Sequence, residues 1–543
     1  MTFSQGNLKY TTSTNQRGVM GNFSIPIGTG QKYYFEYIHT SWGYTAGDDA
    51  WVGLNIDTVD IETNRGGNNT AYSYGANSGA KVIAGTESSY GSGGWTTNDV
   101  IGIAVDRENN TINFAKNNTY QGTFAIPSTG NLFAWAGSGG GSNSASGTFN
   151  FGQDSSFAGV LTAQNNSDGN NNGDFYYSPP SGFLALCTAN LSEPTIGPNS
   201  DDQADDHFDI VTYTGNDSTN NIAFNMTPDM VWLAMRGSTG GGYGKTMWDT
   251  SRGDDKYLYS SGNNAEATGT DYLGFQANGF QIGVSWDGIN HSGENYVTWG
   301  WRANGNTTTT NDASATSIGT IDSVYQANTT AGFSIVTYTG TGSAGTIAHG
   351  LGKKPVCMWV KNRTTNHGWT VFHHKFTETD PETDYFYLNS SMAKDDSSVI
   401  WNDTAPTSTV FSVGSHVTVN ESSANQIAYI WAEIDGYSKF GSYEGIANTD
   451  GAYVHLGFRP RLLICKNLDT AGSWIMFDSE RHPDNIIDIH TMADTTAGEG
   501  TDDDIDFLSN GFKARRSSTS FNSAHTFIYM AWAEMPEKYS LAR

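Results

Sequence analysis

Val211-Thr212-Tyr213-Thr214-Gly215 recurs as Val336-Thr337-Tyr338-Thr339-Gly340 and, altered, as Gly441-Ser442-Tyr443-Glu444-Gly445. After each copy comes a proline ahead of an apolar run: Pro228 before MVWLAM, Pro355 before VCMWV, Pro460 before RLLIC. A tryptophan follows (Trp248, Trp369, Trp474), and each unit closes on an aromatic-rich strand holding Trp301, Trp431 or Trp532. A unit of roughly 100 residues that recurs marks a tandem array. Indoles that recur in register are expected in structural cores, so these six are assigned to the interiors of three related repeats.

Composition sets the frame. At 543 residues the chain is too long for one core, and about 150 residues per domain suggests three or four. The 64 glycines and 13% aromatic content fit short strands joined by tight turns. With 28 basic against 55 acidic residues the formal charge is -27, which repels a phosphate backbone, so nucleic acid is excluded as a partner. Cys187, Cys357 and Cys465 sit far apart in apolar runs and are read as small buried hydrophobes, not a disulfide framework. No apolar stretch reaches the length of a membrane span, and MTFSQGNLKY has neither the basic start nor the apolar run of a secretory signal. Synthesis in a cytosol without membrane insertion is therefore expected.

Residues 1 to about 160 read as short strands with Gly, Asn and Ser turns, among them Lys32–Ile38 and Trp51–Asn55. Val100–Asp106 and Thr111–Ala115, joined by a polar turn, read as a β-hairpin. The strand Gly182–Cys187 is assigned to the end of this first domain, behind a polar spacer at 161–180. TIGPNSDDQADD is too polar to bury much and is read as an acidic linker. The expected boundaries are 1–195 for the first sandwich with its connector strand, 196–206 for the acidic linker, and 207–315, 332–436 and 437–543 for the repeats. A second soft joint is placed at 316–331. With no capped amphipathic helix in sight, the fold class is all-β: a tandem array of antiparallel β-sandwich, jelly-roll-like domains.

The series YYFEY, WVGLN, DVIGIAVDRENNTINFAKNN, NLFAWAGSGG and FNFGQ resembles a SPRY domain, with Asp99, Gly102, Asp106, Phe114, Asn117, Phe151 and Gly152 matching that family's pattern in order. The resemblance implies a bent two-sheet sandwich that binds partners through loops at one end and is not an enzyme. The stretches KNR at 361–363, HLGFRP, ICKN, FLSNGFK at 507–513 and YMAWAEMPE at 529–537 resemble a repeat module of bacteriophage structural and tail-associated proteins. This second resemblance implies a virion location, other virion proteins as partners, contact with a host surface glycan or protein, and by analogy a homotrimer. A tail fibre or receptor-binding protein is the leading expectation. A capsid-attached head fibre or decoration protein, and a tail-associated polysaccharide depolymerase, are the alternatives.

Motifs for chemistry are few. Gly340-Thr341-Gly342-Ser343-Ala344-Gly345 satisfies G-x-G-x-x-G, but no helix-forming sequence follows to face a pyrophosphate. Gly244-Lys245-Thr246 fails as a phosphate loop because position 239 is threonine. No G-x-S-x-G elbow occurs, and no carboxylate pair can be singled out among 55 acids. His373 and His374 are expected on opposite faces of a strand, with His455, His482 and His490 scattered. The runs Asp201-Asp202, Asp205-Asp206 and Asp502-Asp503-Asp504 lack Ca²⁺-loop spacing and are read as solvated charge. Catalysis, cofactor and metal are therefore not expected. What remains is aromatic surface: Trp42, Tyr44, Tyr90 and Trp95, in or beside polar loops of the first domain, are the candidate ligand-binding side chains, while Trp51 is balanced between loop and core.

Overall fold

A computed structural model describes residues 2–540 apart from 7, 13–17, 29, 43–48, 57–69, 140–144, 238–242 and 284–285. The chain divides into two compact units, Met1–Ser192 and Glu193–Arg543. Both are built from antiparallel sheets, and the described helices span no more than four residues each.

The N-terminal unit is a two-sheet sandwich. One sheet runs Thr2–Ser4, Lys9–Thr12, Ala145–Asn150, Lys32–Trp42, Val100–Asp106, Thr111–Lys116, Thr119–Ala125. The other runs Gly18–Ser24, Leu132–Gly139, Asp49–Ile56, Tyr72–Gly75, Ala80–Ile83, Thr86–Ser89. Between them Phe35, Tyr37, Leu54, Tyr74, Ile103 and Phe114 form the core. The hairpin expected at 100–115 is present, and its turn is explained by Asp106, whose Oδ1 accepts from the Glu108 and Asn109 amides at 3.0 and 2.9 Å. Leu184–Ala185 pairs parallel to Tyr33–Tyr34, so the connector strand does belong to this unit.

The repeats of the C-terminal unit share a plan. In the first, a sheet runs Phe208–Thr214, Asn295–Trp301, Met230–Met235, Thr246–Asp249, Lys256–Tyr259, and a smaller sheet (Asn220–Ala223, Gly279–Ile282, Leu273–Gln276) covers one face. In the second, the matching sheet runs Phe333–Thr339, Asn425–Trp431, Cys357–Asn362, Thr370–His373, Asp384–Tyr387. In the third it runs Ser438–Glu444, Thr526–Pro536, Phe458–Asn467, Ile475–Asp478, His490–Met492.

Here the structure departs from three separate interiors. In the central strands Val231 and Leu233, like Met358 and Val360, face the repeat's own small sheet. Met230, Trp232, Cys357, Trp359, Leu462 and Ile464 lie in one core shared by all three repeats. A strand buried on both faces must be apolar at every position, which is why MVWLAM is continuous and does not alternate. At the centre Trp301, Trp431 and Trp532 touch one another, with ring centroids 6.2, 5.4 and 5.9 Å apart.

The two expected linkers are corrected by the same packing. Within 196–206, Ile196 is fully buried in the shared core, and a short 3-10 turn, Ala204–Asp206, is fixed by the Gln203 amide donating to Asp206. Within 316–331, Ser323–Asn328 pairs with Phe333–Thr339, and Gln326 Nε2 donates to Thr250 and Ser251 of the first repeat. Neither segment is a soft joint, since each has apolar or hydrogen-bonded anchors that its polar composition hid.

Candidate functional site

The recurring Tyr-x-Gly has a definite task. Tyr213, Tyr338 and Tyr443 donate their hydroxyls to the carbonyls of Ile289, Val419 and Phe521 (2.6, 2.5 and 2.5 Å). The next residue along each of those segments, Asn290, Asn420 or Asn522, accepts from the Asn216, Thr341 or Ile446 amide. A Cβ on Gly215, Gly340 or Gly445 would collide with the backbone of the same segment, so glycine is required by close approach. The G-x-G-x-x-G at 340–345 is thereby explained without a nucleotide.

At the seams between repeats a second set of residues repeats with a change of origin. Lys361 Nζ donates to the Asn263 carbonyl of the first repeat (3.3 Å), and Lys466 Nζ to the Ser391 and Met392 carbonyls of the second (3.1 and 2.7 Å). Strand register puts Ala234 at the corresponding position of the first repeat and Lys245 opposite it, where the other repeats carry Trp369 and Trp474. Lys245 Nζ reaches the Thr495 and Ala497 carbonyls of the third repeat (2.9 and 3.1 Å), so three lysines close three seams. Burial pushes their pKa values down, Lys245 and Lys466 to about 8 and Lys361 to about 7. The first-repeat equivalent of Trp369 and Trp474 is therefore Lys245, not Trp248, which packs in its own repeat's outer core. Trp369 and Trp474 donate Nε1 across seams to the Tyr259 and Tyr387 carbonyls (2.8 and 3.1 Å).

Ion pairs reinforce two seams. Glu266 meets Arg363 and Arg252 between the first two repeats, and Glu499 meets Arg236 and Arg481 between the third and the first. At the remaining seam His373 and Phe376 occupy the places of Asp249 and Arg252, and His373 Nε2 lies 3.2 Å from the Tyr529 carbonyl. These groups are paired with partners inside the protein.

The fifth strand of each large sheet, Lys256–Tyr259, Asp384–Tyr387 or His490–Met492, lies toward the outer edge of its repeat and differs in the chemistry it presents. The first repeat presents aromatic rings: Tyr272 stacks on half-buried Trp286 at 4.9 Å, with Tyr257 5.2 Å from Trp286. At the matching position of the second repeat, Tyr385 donates to Asp395 (3.1 Å) and packs on Tyr387. The third places His490 there, beside Asp502 and Asp503. Tyr272 and Trp286 escaped the sequence reading because Trp286 stands outside the recurring motif. His490 and the acidic run at 502–504 are separated in sequence, and the fold brings them together.

In the N-terminal unit two candidate ligand-binding aromatics are core residues. Trp95 is 1% exposed, packed on Tyr37, His39 and Tyr74. Tyr90 is 7% exposed against Tyr74, Phe114 and Phe124, its hydroxyl spent on the Gly122 carbonyl and the Phe114 amide. Polar flanking sequence concealed that this loop folds inward. Trp51 is also buried. Tyr44 and the side chain of Trp42 lie outside the described residues. An unforeseen feature is Glu36, fully buried, which accepts from the Tyr176 and Tyr177 amides (2.8 Å each), Asn150 and Tyr34, clamping the polar spacer to the sheet. Burial pushes its carboxyl up to about 7 against those four donors. Cys357 and Cys465 are buried with thiols held above their ordinary range by desolvation, and Cys187 is half-buried.

With this geometry in place, the model of the family described as "Domain of unknown function (DUF7483)" matches residues 203–536, and the SPRY domain model matches residues 32–154. No curated protein matches the chain. Among solved structures, similarity is found to the SPRY domain of human HERC1 (17% identity, 26% of this chain and 93% of that one, TM-score 0.21). A human SPRY domain (18%, 24% and 82%, 0.20) and stonustoxin (14%, 27% and 24%, 0.20) are also similar. The seven residues that carry the SPRY resemblance lie within or beside the two-sheet sandwich, and Asp99 and Asn117 hydrogen-bond each other at 2.6 Å.

Proposed function

Since the chain belongs to the family described as "Domain of unknown function (DUF7483)" and carries a SPRY domain ahead of that region, we propose that it is a non-catalytic binding and scaffold protein of a bacteriophage particle, of the tail-fibre or receptor-binding kind. The observation that carries this reading is the contrast within the C-terminal unit. The tyrosine, asparagine and glycine that build each repeat are the same three times, whereas the outer edge offers stacked rings, a tyrosine-aspartate pair, or a histidine with two aspartates. A rigid frame with a varied edge suits recognition, since fixed elements hold contact groups at low entropic cost. The virion setting rests on the resemblance of the repeat motifs, and the partners it brings are other virion proteins and a host surface glycan or protein.

The test is location followed by binding. Immunogold electron microscopy and mass spectrometry of purified particles should find the chain on the tail, and the fluorescently labelled chain should decorate host cells. Label on the capsid would move the reading to a head fibre or decoration protein, and absence from particles would end both. Incubation with host envelope polysaccharide should release no reducing ends, and their appearance would establish the depolymerase alternative.

A further inference from the structure

We propose that His490, Asp502 and Asp503 form a binding site for a divalent transition cation of the Zn²⁺ or Co²⁺ kind, at the outer edge of the third repeat. The inference does not depend on the virion reading. One ligand atom from each residue lies within 4.8 Å of the others. The arrangement is built by the backbone: His490 and Gly500 exchange both amide hydrogen bonds at 3.0 Å, which folds the following acidic run back beside the imidazole. His490 is 2% exposed, its Nδ1 has no hydrogen-bond partner among the described residues, and its Nε2 faces Asp502 Oδ1 at 3.6 Å, beyond hydrogen-bond length. Among the described residues the buried imidazole makes no side-chain hydrogen bond of ordinary length, and Nε2, the nitrogen that faces Asp502, is the one placed to take a cation.

Gly500 lies directly against the ring: a Cβ there would stand 2.5 Å from both Cε1 and Nε2 of His490 and 3.3 Å from Asp502 Oδ1, so a side chain at this position would collide with the imidazole on the side that faces the carboxylate. Asp503 is buried and Asp502 exposed, which gives one anchored carboxylate and one that can admit an ion from solvent. The matching positions of the other repeats carry Tyr257 and Tyr385, which cannot serve in this way, so the imidazole with its acid pair belongs to the third repeat alone. One nitrogen and two carboxylate donors suit Zn²⁺, Co²⁺ and their neighbours, whereas Ca²⁺ prefers six to eight oxygens. Three protein ligands leave a further position to water.

The same loop carries Glu499, paired with Arg236, and the Thr495 and Ala497 carbonyls that hold Lys245. These contacts belong to the seam between the third and first repeats, the one seam that chain continuity does not reinforce. A cation on His490 and the acid pair would hold that loop in its closing position.

The experiment uses the full chain, free of any affinity tag and stripped of metal. Titration with ZnCl₂ by calorimetry and with CoCl₂ by visible absorption should show one equivalent bound, and Zn²⁺ should raise the melting midpoint of the C-terminal unit. His490→Gln should weaken binding by more than the roughly 10- to 100-fold that loss of a mere supporting residue costs. Asp502→Asn, at an exposed position where folding is not at stake, should weaken binding and abolish the melting shift, with circular dichroism unchanged. A native chain that takes up neither cation overturns the proposal. So does uptake by both variants equal to that of the native chain.

Discussion

The two units bury their aromatic residues by different routes. The N-terminal unit closes its core between two sheets of one domain, with Trp95 and Tyr90 folded in from a polar loop. In the C-terminal unit each repeat covers only one face of its large sheet, and the other face is dry because two more repeats lean on it. The first design makes a self-sufficient domain. The second makes a repeat that recurs in sequence but cannot stand alone, because Trp359, Trp431 and Phe333 would face water without their neighbours.

The hardest test of this contrast is dissection. Residues 1–192 alone should fold with a cooperative melt, and residues 193–543 should melt as one calorimetric transition. Residues 332–436 alone should give no cooperative transition and should bind hydrophobic dye. A well-folded isolated second repeat would erase the distinction between the units.

Single substitutions sharpen it. Trp474→Ala removes a buried indole and its cross-seam hydrogen bond to the Tyr387 carbonyl, and should cost about 3–5 kcal/mol. The effect should appear as a shift of the whole C-terminal transition with the N-terminal one unmoved, and Trp95→Ala should do the reverse. A loss confined to the third repeat, seen by hydrogen exchange, would argue for separate cores. Smaller again is Glu499→Ala, which leaves Arg236 and one edge of the Arg481 guanidinium without their acid at the closing seam. About 1–3 kcal/mol is expected from chemical denaturation, with faster amide exchange at Arg236 and Ala493.

Much of this fold was legible in the chain. The hairpin at 100–115 was written in a β-branched strand, an Asp-led turn and a returning strand, all local signals. The six recurring tryptophans told of burial but not of what they are buried against. The cue for the shared interior was present in MVWLAM and VCMWV, since a strand with one wet face would alternate. The two expected linkers are ordered because one isoleucine at 196 and one hydrogen-bonding glutamine at 326 outweigh a polar surrounding. Equating Trp248 with Trp369 and Trp474 failed for a subtler reason: a lysine and its cross-strand neighbour exchanged roles, so the ammonium stays at the seam while its sequence position moves. The cluster at His490 could not be found at all without knowing that Gly500 lies against it.

The smallest effect concerns acid and base, where the units should respond in opposite pH ranges. In the N-terminal unit Glu36 is raised to about 7, so between about pH 4.5 and 7 the folded state holds a proton that the unfolded chain has released, and stability falls as pH rises. His39, lowered to about 4 by burial, works the other way between about pH 4 and 6.5, because there the unfolded chain holds the extra proton. The two slopes oppose each other and the native melting curve should be nearly flat across that range. Glu36→Gln should lower stability overall and uncover the rise that His39 alone produces. In the C-terminal unit the seam lysines have released protons by about pH 8 that the unfolded chain keeps until about 10.5. Stability there should climb from about pH 8 to 10, below the range in which the buried tyrosines ionise. Lys245→Met should flatten part of that climb. A C-terminal transition that fell across the alkaline range would mean that the ammonium groups are held charged by their carbonyls, and that the seams are ionic instead of merely hydrogen-bonded.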